Sequence, residues 1–279
     1  MTKKSIKLSK YIETENLELN NWGKADLHIH TDFSYDGLSS VKEILDFAEK
    51  NTDLSIIAIT DHNKIDMAYE AKKMSDNHYE KIKVIIGEEI NTKHGEIIGL
   101  FLKTRVKPRR NILDTIREVK LQGGLVILPH PFHFLGKVPG VKGGVSKRTL
   151  NRINNEPKIE ADAIEFLNPT IPGKLGHNQV KKLQNELDNL AIIGSSDAHS
   201  YEYIGKSYTL FPGKTPEDLR KAIINRSTLA AGNFMPVFDT VKLFNRNFNK
   251  YLKKILFAFN SNKSLKSNKT LSYKKINRE

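Results

Sequence analysis

Residues 54–60 read LSIIAIT, and this short run decides the fold. Its apolar side chains are nearly continuous, which is typical of a strand buried on both faces in a parallel sheet. The polar residues Asp61 and His62 follow at once. The run therefore predicts a central strand in a helix-covered sheet, with ionisable side chains at the carboxyl end of the strand.

Runs of the same kind recur along the chain and alternate with helical periodicity. The further predicted strands are residues 25–30, 83–87, 97–102, 125–128, 163–166, 190–193 and 208–211. The predicted helices are residues 40–50, 66–77, 111–122, 147–154, 178–189 and 216–224. Ser40 and Glu43 have capping-box spacing at the first helix, and Thr215 precedes Pro216 at the last. This alternation indicates parallel βα units, in either a barrel or an open doubly wound sheet.

The composition limits the chemistry that this chain can support. Its 279 residues are enough for one large α/β domain, and no cysteine is present. Disulfides and thiolate ligands are therefore excluded, and any metal must be held by nitrogen and oxygen atoms. No glycine-rich phosphate loop follows the first predicted strand, which lowers the expectation of a nucleotide-binding open sheet.

Both ends of the chain are basic. Residues 241–279 contain eleven Lys or Arg and one acidic residue, so this tail carries +10 of the formal net charge of +13. Such a block is most often solvated; alternatively, it is an electrostatic arm for nucleic acid or for an anionic membrane surface. The first ten residues precede no apolar run of signal-peptide length, and no run is long enough to span a membrane. We therefore expect a cytoplasmic protein without a transmembrane segment.

Five of the predicted strands end in residues that can bind metal. His28 and His30 lie two apart, so their imidazoles point to the same side of the first strand. Asp197 and His199 have the same spacing after residues 190–193. The remaining candidates are Asp36, His62, Glu89 and His130. In βα folds the active site lies at the carboxyl ends of the strands, so these side chains are expected to converge.

Converging imidazoles and carboxylates predict a multinuclear metal centre. One ion takes about four to six ligands, whereas eight candidates are present, so two or three ions with bridging carboxylates are expected. The ligand types suit Zn²⁺, Mn²⁺ and Fe²⁺ alike. Such centres lower the pKa of a bridging water and neutralise charge on a phosphate ester. Asp61 and Glu88 adjoin candidate ligands but point the opposite way, which predicts supporting or surface acids.

The order of these residues is similar to that of a known family. The segments DLHIHT (26–31) with SYDG (34–37), ITDHN (59–63), GEEI (87–90), HP (130–131) and SDAH (196–199) resemble the signature motifs of the PHP (polymerase and histidinol phosphatase) superfamily. The resemblance covers about residues 24–212. It implies a distorted (β/α)7 barrel that holds two or three divalent ions and hydrolyses phosphomonoesters or phosphodiesters. The expected organisation is an N-terminal extension at 1–23, the barrel domain at 24–238 and a basic C-terminal extension at 239–279.

The resemblance also implies which residue holds which ion. It assigns four ligands to a first ion, namely His28, His30, Glu89 and Asp197. It assigns a second ion, bridged by Glu89, to Asp36, His62 and His199. His130 is implied as a ligand of a third ion. Many relatives have another histidine just before the strand that begins here at Ile97, where this chain has Glu96. Three alternatives follow: Glu96 replaces that imidazole, His94 substitutes for it, or the site holds only two ions.

The expected reaction is direct attack of a metal-bridging hydroxide on phosphorus, without a covalent enzyme intermediate. Asp197 is expected to handle the proton of a metal-bridging hydroxide, and His199 or His62 to protonate the leaving oxygen. His133 and Asn168 are candidate substrate contacts. The predicted substrate is a phosphorylated small molecule or nucleotide. The alternatives are a nuclease or oligonucleotide phosphodiesterase that uses the basic tail for nucleic acid, and a non-catalytic metal-binding module that serves a partner. The sequence does not indicate an oligomeric state.

Overall fold

A computed structural model of the chain describes residues 21–132, 143–156, 160–182, 189–235 and Arg246. The predicted N-terminal extension, apart from its last three residues, lies outside the described residues. So does the predicted C-terminal extension, with the exception of Arg246. Among the helices of the described ranges, none has the length and apolar character needed to cross a membrane.

The described residues form one sheet of nine strands, surrounded by six α-helices and a single 3-10 turn at Tyr201–Tyr203. The strands are β1 Trp22–Ile29, β2 Ile56–Ile59, β3 Lys83–Thr92, β4 Gly95–Leu100, β5 Leu125–Leu128, β6 Ala163–Leu167, β7 Ala191–Gly194, β8 Ser207–Pro212 and β9 Leu229–Gly232. The helices are α1 Val41–Asn51, α2 Asp66–His78, α3 Ile112–Leu121, α4 Lys147–Asn154, α5 Ile171–Lys182 and α6 Pro216–Ile224. The order of strands in the sheet is β7-β6-β5-β4-β3-β2-β1-β8-β9.

The helices begin where the sequence places their caps. At α1 the Ser40 side chain accepts from the backbone N–H of Glu43, and the Glu43 carboxylate accepts from Ser40 N at 2.8 Å, which confirms the capping box. At α6 Thr215 and Asp218 form a second capping box, with Pro216 between them at the first helical position. These contacts satisfy backbone donors that the first helical turn leaves without a partner.

The predicted helix at 178–189 begins too late in the chain. The structure begins α5 at Ile171 and ends it at Lys182, whereas residues 183–188 lie outside the described residues. Pro172 lies in the first turn, where its missing N–H costs no helical hydrogen bond. Gly173 and Gly176 weaken the local helix signal, which explains why periodicity places the helix too late. β9, a short run of small residues, also escapes prediction.

The sheet is only partly parallel, which corrects the expectation of parallel βα units throughout. β1, β2 and β3 pair in parallel, as do β5, β6 and β7. β4 lies antiparallel between β3 and β5, because the two-residue connection at Lys93 and His94 is too short for a crossover helix. β8 and β9 are antiparallel additions beside β1.

The sheet curls until its two edges nearly meet, so the predicted distorted barrel is confirmed. Thr209 of β8, the strand beside the edge strand β9, bonds to the opposite edge strand β7 through its side-chain hydroxyl, which accepts from Gly194 N at 3.2 Å and donates to Gly194 O at 2.8 Å. Ser207 similarly donates to Leu167 O at 3.2 Å. These side-chain bonds between β8 and the strands β6 and β7 stand in for a regular ladder.

Two buried apolar clusters fill the structure on either side of the strands. One joins Leu27, Ile56, Ile98 and Ile127 to Leu219 of α6. The other packs α1, α2, α3 and α4 onto the opposite side chains of the sheet. Burial of apolar surface on both sides explains why β2, β5 and β7 read as continuous apolar runs.

Replacing Thr209 with valine tests the barrel closure. The change keeps the side-chain volume but leaves the buried N–H and C=O of Gly194 without the hydroxyl, so we expect a loss of about 1–3 kcal/mol in the free energy of unfolding. Urea denaturation measures it. Thr209→Ser keeps the hydroxyl and should lose less. A valine variant as stable as the parent would show that these bonds do not hold the barrel closed.

Candidate metal centre

The first group of ligand-type residues surrounds the end of β1. His28 and His30 extend from the same side of the strand, and their Nε2 atoms lie 3.1 Å apart. Each Nε2 is 3.3 Å from Glu89 Oε2 and 3.5 Å from Asp197 Oδ1. Hydrogen bonds between His30 N and Ala198 O (2.9 Å) and between Ala198 N and His28 O (3.2 Å) fix this proximity. The strand end and the loop after β7 thus meet by backbone pairing.

A second group lies directly beside the first. Asp36 Oδ2 is 3.3 Å from His62 Nε2 and 3.1 Å from His199 Nε2. The other ring nitrogen of His62, Nδ1, lies 3.0 Å from Glu89 Oε2. Glu89 therefore contacts residues of both groups, as a bridging carboxylate must.

The remaining candidate ligands are His130 and Glu96, which fall in different groups. His130 Nε2 lies 3.2 Å from the second carboxylate oxygen of Glu89, Oε1. Glu96 is buried at the start of β4, and one of its carboxylate oxygens lies within 4.8 Å of ligand atoms of His62 and Glu89. His94 points elsewhere, with Nε2 3.4 Å from the Arg152 guanidinium. Of the two candidates for the missing family histidine, Glu96 is therefore the one beside the other ligands.

Behind the ligands lies a buried carboxylate, Glu165, that the sequence motifs do not include. This residue of β6 places Oε1 2.9 Å from His28 Nδ1 and accepts from His130 N through Oε2 at 2.7 Å. Asn168 donates to the same Oε2 at 3.0 Å and to Asp197 Oδ2 at 3.3 Å. A carboxylate on the far nitrogen of a ligand imidazole fixes the ring and its tautomer. The one signal for it in the sequence is an acid inside the apolar strand AIEFL.

Asn168 is placed to orient other residues of the centre. In addition to its two donations, its amide oxygen accepts from Thr170 N at 3.0 Å and from the Thr170 hydroxyl at 2.6 Å. The side chain is buried, and both ends of the amide are occupied by protein atoms. These contacts favour an orienting function over the predicted substrate contact. The other predicted substrate contact, His133, lies outside the described residues.

Two further buried acids hold the loops that carry the ligands. Asp61 accepts from Thr31 N at 2.7 Å and from the Thr31 hydroxyl at 2.6 Å, which joins the end of β2 to the loop after β1. Asp26 accepts from Ser196 N at 2.9 Å and from Gly205 N at 2.8 Å, and burial raises its pKa to about 6. Both acids point away from the ligand groups and support them indirectly.

The backbone is strained at two of the candidate ligands. Asp197 has φ 51° and His130 has φ 26°, both in the left-handed region that non-glycine residues rarely adopt. Such strain persists only where surrounding contacts impose it, and it concentrates at functional sites. Here Asn168 holds the Asp197 carboxylate and Glu165 holds the His130 backbone.

Carboxylates and imidazoles alternate in the centre, and each shifts the pKa of its neighbours. Burial lowers the pKa of His62, but the carboxylates of Glu89 and Asp36 outweigh burial and raise it to about 10. The same competition, dominated by Asp36, raises the pKa of His199 to about 9. Conversely, burial raises the pKa of Asp36, and the imidazoles of His199 and His62 hold it well below its ordinary value.

The donor set fits a cluster of divalent ions. Four groups of residues place one ligand atom each within 4.8 Å of the others, and they share members: His30, Asp36, His62 and His199; His28, His30 and Glu89; His28, His130 and Asp197; and His62, Glu89 and Glu96. Asp36 Oδ1 and His130 Nδ1 are buried and have no hydrogen-bond partner in the described structure. Imidazole and carboxylate donors without thiolates suit Zn²⁺, Mn²⁺ or Fe²⁺.

Comparison with known proteins agrees with this geometry. The family model named PHP domain matches residues 26–262. The chain belongs to the PHP domain family. The matched range includes all of the ligand groups described above and runs past residue 238, into the predicted C-terminal extension. The resemblance of the signature motifs is therefore confirmed.

Individual relatives resemble the chain to different degrees. The uncharacterized protein MJ1587 of Methanocaldococcus jannaschii is 40% identical over 127 residues, which cover 42% of this chain and 72% of that protein. MJ0417 of the same organism is 28% identical over 208 residues, covering 70% of this chain and 75% of that protein. In fold, the chain is similar to a two-domain protein of Bacteroides vulgatus that contains a predicted PHP-like metal-dependent phosphoesterase, with a TM-score of 0.61 and 20% identity over 85% of this chain and 74% of the other.

Metal loading of the PHP domain should strengthen as pH rises. The carboxylates raise the pKa of the ligands His62, His130 and His199 to about 9–10, so near neutral pH an incoming ion displaces protons. Affinity should rise by about tenfold per pH unit for each proton displaced. Thermal unfolding with and without Mn²⁺ at about pH 6 and pH 8 measures this, because ligand binding raises the melting temperature. Equal metal-induced shifts at both pH values would contradict it.

Proposed function

We propose that this protein hydrolyses a phosphate monoester of a small molecule or nucleotide in a metal-dependent reaction. The observation that carries the proposal is the position of Glu89, whose carboxylate lies within 3.3 Å of imidazoles from two adjacent ligand groups. Ligand groups that share one carboxylate suit ions close enough together to hold a single phosphate. Membership of the PHP domain family supports hydrolysis of a phosphate ester in general.

We assign the ions as follows. His28, His30, Glu89 and Asp197 would hold the first, and Asp36, His62 and His199 the second, with Glu89 between them. When bound, the ions would supply Lewis acidity, making a water more acidic and neutralising charge on the phosphate. Asp197 would accept the proton of the attacking water; its Oδ1 lies 3.5 Å from Nε2 of both His28 and His30. His199, which is 15% exposed, or His62 would give a proton to the leaving oxygen.

A nuclease is the alternative that a specific feature favours. The predicted tail at 239–279 would supply a cationic arm for a phosphate backbone, whose contacts weaken steeply with salt. Arg246, the described residue of this segment, instead donates to Glu202 at 2.7 Å beside the loop that carries His199. A protein-facing contact of this kind favours the phosphatase. A substrate panel should include short oligonucleotides at two salt concentrations, and cleavage of these in preference to monoesters would favour the nuclease.

Removal of either of two ligands should abolish phosphatase activity. Asp197→Asn keeps the shape but removes the charge, and His30→Ala removes an imidazole from the first ligand group. We expect kcat to fall by about 10²-fold or more in both, at unchanged fold. Asp76→Ala, an exposed acid on α2 paired with Lys72, serves as the matched control. Full activity of either ligand variant with Mn²⁺ or Zn²⁺ would refute the assignment.

The number of ions depends on Glu96 in this proposal. We infer that Glu96 helps to hold a third ion with His130, and that His94 does not. Elemental analysis should then give about one ion fewer per chain for Glu96→Gln, because an amide is a weaker ligand than a carboxylate. His94→Gln should leave the metal content unchanged. If neither substitution changes the metal content, the centre holds its ions without Glu96.

A further inference from the structure

Two exposed aromatic rings lie beside the metal centre. Phe33 and Tyr35 lie in the loop between β1 and α1, with 42% and 54% of their surface exposed. Between and after them, Ser34 is buried and the carboxylate of Asp36 points toward the ligands. The loop thus alternates, with its polar side chains turned to the metal centre and its rings turned to solvent.

Each ring is supported on one face by a neighbour. The Tyr35 ring stacks on the His62 imidazole, with centroids 4.7 Å apart and planes inclined by 19°. The Phe33 ring lies under the Lys64 ammonium, whose Nζ is 4.1 Å from the ring centroid and donates to Phe33 O at 2.7 Å. A ring held in place loses less freedom when it binds a ligand than a mobile ring would.

The position of these rings requires an explanation beyond folding. Exposed large apolar side chains number five in the described ranges, and the other three, Tyr69, Leu121 and Ile224, lie on separate helices. Phe33 and Tyr35 are the two that share one loop. The face of each ring that is left in water gains nothing for stability, whereas it can stack on a planar group. Because Tyr35 rests on the ligand His62, a group joined to a phosphate at the centre would lie against these rings.

We infer that Phe33 and Tyr35 select the substrate by stacking on a planar ring in it. This inference rests on the proposed phosphatase activity and narrows its substrate class. The substrate is then a phosphate ester whose alcohol part carries an aromatic or heterocyclic ring a few atoms from phosphorus, as in a nucleoside monophosphate. A sugar phosphate without an aromatic base would occupy the metal centre but leave the Phe33 and Tyr35 rings uncovered. Lys64, already over Phe33, adds positive charge beside the same surface.

Two ligands that differ by one aromatic base test the inference. Adenosine 5′-monophosphate and ribose 5-phosphate share the phosphate and the sugar, and only the first carries a base. Calorimetry with the metal-loaded full-length protein should show the nucleotide bound about tenfold more tightly or better, the usual effect of one base stacked on an aromatic side chain. Binding without a ring preference would overturn the inference.

Variants assign the preference to the two rings. Phe33→Leu and Tyr35→Leu should each weaken nucleotide binding several-fold and leave ribose 5-phosphate binding unchanged, whereas Tyr35→Phe keeps the ring and the preference. Tyr69→Leu, an equally exposed aromatic on α2, is the control. Equal losses for both ligands would overturn the inference, because they would indicate damage to the metal centre.

Hydrolysis of the same two ligands, measured in parallel, separates this inference from the proposed function. Ring-dependent binding without hydrolysis of either ligand would support the aromatic surface and refute the phosphatase. Hydrolysis of both ligands at equal kcat/KM, with no ring preference in binding, would support the phosphatase and refute the aromatic surface.

Discussion

The rest of the site depends on the contacts between the Glu89 carboxylate and the imidazoles around it. This carboxylate is buried, and it lies within 3.3 Å of four imidazoles, those of His28, His30, His62 and His130. An isolated buried carboxylate would be strongly unfavourable, so its neighbours must supply compensating charge. Four imidazoles can surround one carboxylate only if several strand ends meet at one point. The nearly closed barrel, with β1, β2, β3 and β5 side by side or facing, provides that point.

The departures from a regular barrel serve the same centre. β3 continues past Glu89 to Thr92 and turns directly into β4, so the hairpin returns Glu96 to the ligands that β3 has just supplied. A regular crossover helix would have carried the chain to the outside of the barrel instead. Similarly, the meeting of β1 with the loop after β7 is made by two backbone bonds, and it brings Asp197 to the imidazoles of β1. Irregular pairing is therefore what gathers the ligands.

The sequence predicts the candidate ligands better than it predicts the strands and side chains that hold them. Most of the candidate ligands lie at or just after the ends of buried strands, so the spacing of His28 and His30 and the order of the motifs are enough to predict that these side chains converge. The helix caps at Ser40 and Thr215 are local chemistry, and they too are predictable. The direction of a strand cannot be predicted from local sequence, because it depends on which strands pair in the sheet. Glu165 escapes prediction for a related reason: its partners, His28 and His130, are distant in sequence.

The chemistry of the centre argues for function over mere stability. Clusters of buried acids and bases contribute little to the free energy of folding, since the cost of removing charges from water offsets their attraction, and an apolar core of equal volume is often as stable. This chain nevertheless surrounds the ligands with buried supports such as Asp26, Asp61 and Glu165, and it accepts strain at Asp197. A module that only needed to fold could fill the same space with apolar side chains. Preorganised donors and a strained backbone at Asp197 are instead features typical of functional centres.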